Sequence, residues 1–185
     1  IRTATKRWIH LPLKTHCKAY AVGAVCDLNG DGQADFALQR WEPTDIVAID
    51  GQTGSTLWSV PTGAPNMGGL EAADMDGDSL PDIVAPSGDG HVYCIRGRDG
   101  QVLWKRSIGL GGSYSSPTLY DLDGDGIPEC LLMTRQGHFF VLRGTDGNTL
   151  LHRTGGSSVT GSPTVTETPR GQTLLLIPAG RGGLF

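Results

Sequence analysis

Three copies of one acidic, glycine-rich nonapeptide constrain the fold of this chain more than any other feature. They span Asp27–Asp35, Asp74–Asp82 and Asp121–Glu129, and we call them the first, second and third loops. The interval between their first residues is 47 both times, from 27 to 74 and from 74 to 121. A fixed period of about 20–50 residues indicates a repeat architecture, so each loop belongs to one copy of a supersecondary unit.

The side chains of each loop suit a hard cation, because oxygen atoms stand at positions 1, 3, 5 and 9. Ca²⁺ takes about 6–8 oxygen ligands from carboxylates, amides, backbone carbonyls and water. Position 7 varies, so we expect only its backbone carbonyl to bind. Glycines at positions 4 and 6 permit the turn, since they reach positive φ without a Cβ clash, and Ser79 in place of the second glycine predicts a slightly different second turn. The predicted ligands of about three Ca²⁺ ions are Asp27, Asn29, Asp31, Gln33, Asp35, Asp74, Asp76, Asp78, Leu80, Asp82, Asp121, Asp123, Asp125, Ile127 and Glu129.

The loops differ from an EF-hand, which needs a bidentate Glu at position 12, where this chain has Leu38, Ala85 and Leu132. Ordinary Asp- and Gly-rich turns are the alternative, and three copies in register favour the cation. The loops hold 11 of the 19 acidic residues, which repel one another without a counter-ion. Three Ca²⁺ ions would change the formal net charge from −4 to +2.

Short apolar runs bounded by turn residues surround each loop and indicate β-strands. The third run of each unit is Ile46–Ile49, His91–Ile95 or Phe139–Leu142, and a fourth run ends each unit. Four short strands per unit are typical of a propeller blade. The prediction is an all-β protein, a β-propeller with about three full four-stranded blades plus partial blades. An open β-sandwich is the alternative, and it does not require such regular internal similarity.

The predicted domain organisation follows the period. Because propellers close with about 4–8 blades, we expect further chain or another polypeptide to complete a ring of about 6–8 blades. The last unit has only Glu167–Gly171 in place of an acidic loop, so no cation is expected there. The ranges are the end of a preceding blade and a linker over 1–20, blades with calcium loops over 21–66, 67–112 and 113–159, and a partial blade over 160–185.

Two family resemblances rest on these residues. The loops, followed by apolar runs such as Phe36-Ala37-Leu38, resemble the FG-GAP/VCBS repeats of integrin α-subunit-type propellers, whose loops bind Ca²⁺. The pattern Ala48-x-Asp50-x-x-Thr53-Gly54-x-x-x-Trp58 is similar to the tryptophan-docking motif of quinoprotein-type propellers. The later copies depart from this pattern, with Arg96 and Arg143 in place of the Asp and Leu151 in place of the third Trp. Such propellers serve binding, adhesion, assembly and catalysis, so the resemblance implies the fold more than the function.

The predicted function is a non-catalytic calcium-binding module that binds a protein or a glycan. No catalytic motif is present, the five histidines are scattered, and no cofactor-binding or catalytic residue is predicted. The first alternative is part of a propeller enzyme, either a quinoprotein-like dehydrogenase or a calcium-dependent polysaccharide lyase. The second is a structural subunit of a large extracellular assembly.

Charge, hydropathy and cysteines limit the partners and the cellular location that we expect for the protein. A negative chain whose basic residues do not alternate with stacking aromatics is not expected to bind nucleic acid. No run of 18 apolar residues predicts a transmembrane span. Weak calcium sites suit millimolar calcium, so the predicted location is extracellular, cell-surface or periplasmic. The four cysteines are Cys17, Cys26, Cys94 and Cys130. We expect buried thiols that act as small hydrophobic side chains, and a disulfide between Cys17 and Cys26 is the alternative.

Overall fold

The structure is a computed structural model that describes residues 23–65, 68–109, 111–155 and 161–178. The described residues form three four-stranded antiparallel sheets and one two-stranded sheet, and each sheet follows chain order. The first sheet contains β1 (Ala24–Cys26), β2 (Asp35–Arg40), β3 (Asp45–Ile49) and β4 (Thr56–Pro61). The second contains β5 (Glu71–Ala73), β6 (Asp82–Pro86), β7 (His91–Ile95) and β8 (Val102–Ser107). The third contains β9 (Thr118–Tyr120), β10 (Glu129–Met133), β11 (His138–Leu142) and β12 (Thr149–Thr154), and the fourth contains β13 (Thr164–Glu167) and β14 (Thr173–Leu176).

The sheets pack face to face in chain order, and the sequence pattern of the inner strands explains why. Every residue of β3, β6 and β10 is buried. Because side chains alternate between the faces of a strand, an unbroken apolar run must be covered on both sides. In β6, Ile83 and Ala85 belong to the core cluster shared with the first sheet, whereas Val84 belongs to the cluster shared with the third.

Each tryptophan of a fourth strand fastens its sheet to the next one. Trp58 on β4 is 7% exposed, and its indole Nε1 donates a 2.5 Å hydrogen bond to the Gly97 carbonyl of the second sheet. Trp104 on β8 donates a 2.6 Å bond to the Gly144 carbonyl of the third sheet. In the third sheet Leu151 takes this position and is only partly buried.

The predicted fold class is confirmed: the described residues are all-β, without a helix, and form the four-stranded meanders of propeller blades. The predicted third strands lie within β3, β7 and β11. The described part of the chain offers no helix of the length and apolar character needed to cross a membrane. The blade boundaries stay a prediction, and the range 1–20 lies outside the described residues.

Candidate metal centres

The position-1 carboxylate organises each loop by accepting backbone N–H groups from the turn that follows it. In the third loop, Asp121 Oδ1 accepts from Gly124 at 2.7 Å and Oδ2 accepts from Gly126 at 3.0 Å. Asp27 accepts from the amides at positions 4, 5 and 6 of its loop, and Asp74 from those at positions 4 and 6. These bonds curl the chain around the carboxylate, so the loops have one local geometry.

Left-handed backbone at positions 4 and 6 makes this curl. Gly124 and Gly126 have φ of 81° and 92°. Ser79 has φ of 69°, so it takes the same left-handed conformation as the glycines. The expectation of a different second turn is therefore wrong, and the serine bears the steric cost of a Cβ in that region, about 1 kcal/mol or more.

The side chains at positions 3 and 5 each use one oxygen to accept a backbone N–H group of the turn. In the third loop, Asp123 Oδ1 accepts the Asp125 N–H at 3.2 Å, and Asp125 Oδ1 accepts the Ile127 N–H at 2.8 Å. The same two bonds recur in the other loops. In the third loop the second carboxylate oxygens of Asp123 and Asp125 accept no backbone N–H group, so they remain for a cation.

The position-9 carboxylates are buried and serve the fold as well as the loop. Asp82 is 0% exposed, and it accepts the Met75 N–H at 2.9 Å and the Gly97 N–H at 3.0 Å. Asp35 makes the equivalent bonds to Leu28 and Gly51. Burial raises the pKa of Asp82 to about 6, against the lowering effect of its two amide donors. Burial likewise raises the pKa of Glu129.

Sequence reasoning missed the glycine that each position-9 carboxylate contacts. A Cβ on Gly51, Gly97 or Gly144 would lie 1.7, 1.9 or 2.3 Å from a carbonyl oxygen of the acidic loop beside it, so only glycine fits. The signal was in the sequence, because a glycine follows Asp50, Arg96 and Arg143 at the same position of every unit. Gly97 and Gly144 also accept the indole N–H of Trp58 and Trp104 from the preceding sheet, so they join their loops to that sheet.

Carboxylate oxygens converge in two of the three loops. One oxygen each from Asp74, Asp76 and Asp78 lie within 4.8 Å of one another, and so do oxygens from Asp121, Asp123 and Glu129. These two clusters could hold metal ions, and an all-oxygen donor set matches a hard cation such as Ca²⁺. Among the described residues no such group of three acids is found in the first loop, whose position 3 is the amide Asn29. Ligation by the backbone carbonyls of Gln33, Leu80 and Ile127 stays a prediction.

The fourth unit replaces its acidic loop with a short hairpin. The turn over 168–171 joins β13 to β14, and Glu167 Oε1 accepts a 2.7 Å bond from the Tyr120 hydroxyl of the third sheet. That the fourth unit holds no cation stays a prediction.

Two histidines that look scattered in the sequence meet at the other end of the third sheet. His138 Nδ1 and His152 Nε2 are 3.2 Å apart, and the His152 ring stacks on Phe140 with a centroid distance of 4.3 Å. They line a cavity of about 470 Å³ between the second and third sheets. The acidic loops are at the opposite end, since His138 follows the β10–β11 turn rather than the β9–β10 loop.

Three described cysteines are free thiols, and Cys17 lies outside the described residues. Cys94 and Cys130 are buried in the core cluster between the second and third sheets, as expected of small hydrophobes. Burial, with a smaller effect of Asp35 and Asp27, raises the pKa of Cys26 to about 11. Burial raises the pKa of Cys130 as well, so neither thiol forms a reactive thiolate near neutral pH.

A family model described as FG-GAP-like repeat matches residues 27–85 and 74–132 of this chain. The two matches begin at the first residues of the first and second loops. Comparison with curated protein sequences finds no significant match.

Solved structures share the fold at low sequence identity. BamB from Moraxella catarrhalis is 17% identical with a TM-score of 0.56, over 75% of this chain and 39% of that chain. BBS1N, solved in complex with ARL6DN, is 12% identical with a TM-score of 0.61, over 88% and 51%. A quinohemoprotein alcohol dehydrogenase from Pseudomonas putida HK5 is 14% identical with a TM-score of 0.54, over 82% and 31%. The chain therefore spans between about a third and a half of the length of these structures.

Proposed function

The chain belongs to the FG-GAP-like repeat family, and we propose that it is a non-catalytic β-propeller module whose three acidic loops bind Ca²⁺ and whose surface binds a protein or a glycan outside the cytosol. The convergence of three carboxylate oxygens within 4.8 Å in each of two loops carries this proposal. Such oxygens repel one another in the absence of a cation, and a divalent ion between them removes the repulsion.

Calcium would act on the fold through the joints between sheets. In the second unit, the chain of contacts runs from the loop through Asp82 to Gly97, and from Gly97 to Trp58 of the preceding sheet. An ion that fixes the loop therefore fixes the turn on which the neighbouring sheet docks. Ion binding to the folded state alone stabilises it by about 1.4 kcal/mol per loop when calcium is tenfold above Kd.

Support for protein binding comes from a structure with a similar fold, and it does not identify a particular surface of this chain. BBS1N was solved in complex with ARL6DN, so a propeller of this shape can present a protein-binding surface. Likeness to a dehydrogenase at 14% identity concerns the fold alone. An extracellular or periplasmic location follows from the proposed use of calcium, because extracellular modules bind calcium at about 10⁻⁴–10⁻³ M.

Thermal unfolding with and without calcium tests the proposal. We expect the midpoint to rise by several degrees between EGTA and 5 mM CaCl₂, and to change far less with MgCl₂, which demands a smaller octahedral site. Equal midpoints in EGTA and calcium would refute calcium binding. For the binding role, a glycan microarray and an affinity capture of extracellular proteins, each run with calcium and with EGTA, should give ligands that are lost on chelation.

A further inference from the structure

The second loop differs from the other two because arginines reach the oxygens that a cation would use. Asp76 Oδ1 accepts the Asp78 N–H, as in every loop, and Asp76 Oδ2 accepts a 2.9 Å bond from Arg96 Nε. The Arg96 and Asp76 side chains are only 19% and 20% exposed, so water screens this ion pair incompletely. The cationic group therefore occupies the ligand side of position 3.

The position-5 carboxylate is approached by a second arginine in poorer geometry. Asp78 Oδ1 accepts the Leu80 N–H at 2.9 Å. Asp78 Oδ2 is buried and has no donor in hydrogen-bond geometry, although Arg98 Nη1 lies 3.3 Å away. An ion pair without an aligned donor leaves that oxygen incompletely satisfied, so a metal ion would still gain by binding there.

The first and third loops provide internal comparisons at the same repeat position. Asp50 stands in place of Arg96 in the first unit and accepts N–H groups of its own turn. Arg143 stands there in the third unit, and its guanidinium pairs with Asp146 at 3.4 Å instead of with the third loop. Within the described ranges, no ion pair joins an arginine or lysine to a carboxylate of the first or third loop.

Arg96 also has, in Asp99, the equivalent of the partner that Arg143 uses. Its Nη1 atom bonds Gln101 Oε1 at 2.7 Å and lies 3.5 Å from Asp99 Oδ2, and Asp99 is the repeat equivalent of Asp146. A small rotation of the side chain would leave the guanidinium on Asp99 and release Asp76. The conformation of Arg143 is therefore the one that we expect for Arg96 once it no longer contacts the second loop.

We infer that Arg96 and Arg98 act as built-in counter-ions of the second loop, so that this loop binds Ca²⁺ last and only as both arginines withdraw. The inference rests on the proposed calcium function of the loops. Its consequence is graded loading: two loops fill at lower calcium, and the second loop responds to a higher concentration. In the absence of calcium, the arginines keep the second loop folded.

Isothermal titration of CaCl₂ into the full, chelator-stripped chain tests this. For the wild type we expect two equivalents of stronger binding followed by one weaker equivalent, and Asp74→Asn should abolish only the weaker event. The double variant Arg96→Gln, Arg98→Gln should tighten the weak event about tenfold, because neither guanidinium then competes with the ion for Asp76 and Asp78. Arg96→Lys keeps the positive charge, so calcium binding to the second loop should stay weak in this variant. The matched control Arg143→Gln removes a guanidinium at the equivalent position and should change nothing.

The outcomes separate the two proposals. Three equivalents of equal affinity that are unchanged in the double variant would overturn the counter-ion role and leave calcium binding intact. No binding in the wild type or in any variant would overturn the proposed function itself and the inference with it. If the weak event tightens in the double variant, and not in Arg96→Lys or Arg143→Gln, the result would support both the proposed function and the counter-ion role.

Discussion

Replacing Asp82 by Ala separates the structural role of a position-9 carboxylate from its predicted role as a ligand. Both oxygens of this side chain accept buried backbone N–H groups, from Met75 at 2.9 Å and from Gly97 at 3.0 Å. Removal of the carboxylate leaves both donors without their acceptor. The Gly97 turn also receives the Trp58 indole, so the loss affects the joint between the first and second sheets.

The magnitude follows from the two donors. A buried donor left unsatisfied costs about 1–3 kcal/mol, which gives about 2–6 kcal/mol for the pair. The burial that raises the pKa of Asp82 shows that the folded protein disfavours the charged carboxylate, and this offsets part of the loss. We therefore expect Asp82→Ala to lower the free energy of unfolding by about 3 kcal/mol in EGTA, where no ion contributes. Asp82→Asn keeps one carbonyl acceptor and should lose about half as much.

Urea unfolding in EGTA, followed by the fluorescence of the docked tryptophans, measures this difference by linear extrapolation. A loss below about 1 kcal/mol for Asp82→Ala in EGTA would refute the argument, because it would mean that the amides find other partners or that the bonds do not hold the joint. A loss seen only with calcium would assign Asp82 to ion binding alone.

Three further predictions concern the ligands, the glycines and the tryptophans. Asp123→Ala should lower the free energy of unfolding when calcium is present. In EGTA the loss should be less than about 0.5 kcal/mol, because Asp123 is exposed. Equal losses in the two buffers, measured by urea titration, would count against ligation. Gly97→Ala should lower the free energy of unfolding by about 3 kcal/mol in chemical denaturation, because its Cβ would lie 1.9 Å from the Pro81 oxygen. The control Gly32→Ala, with open space around it and φ of 79°, should lower it by about 1 kcal/mol. Similar losses for the two variants would show that the close contact at Gly97 relaxes. Trp104→Ala should cost about 3–5 kcal/mol by cavity formation and loss of its hydrogen bond, and a melting midpoint within a degree of wild type would contradict the docking role.

The strands and loops could be predicted from the sequence because they repeat. A 47-residue interval fixes the acidic loops, and the unbroken apolar runs at Ile83-Val84-Ala85 and its equivalents require strands covered on both faces. The structure confirms the all-β blades and brings the carboxylates of the second and third loops together. The identity of the ion stays a prediction.

Contacts between units could not be predicted from the repeat alone. Asp82 was predicted as a ligand by its spacing, but its bond to Gly97 joins residues 15 positions apart and depends on how the β7–β8 turn folds back on the loop. The meeting of His138 and His152 depends on strand register, since the two residues lie diagonally across neighbouring strands. The position of Arg96 on the second loop and of Arg143 off the third depends on side-chain rotamers, which a pattern of residue types does not specify.

Counting the ions on the intact protein decides whether the loops are calcium sites. Native mass spectrometry of the full chain, with calcium and after chelation, gives the number of bound ions directly. We predict up to three Ca²⁺ per chain, two retained at low calcium and the third only at higher concentration, with one fewer ion for Asp74→Asn. A chain that carries no calcium under any of these conditions would contradict the proposal that its acidic loops are metal centres.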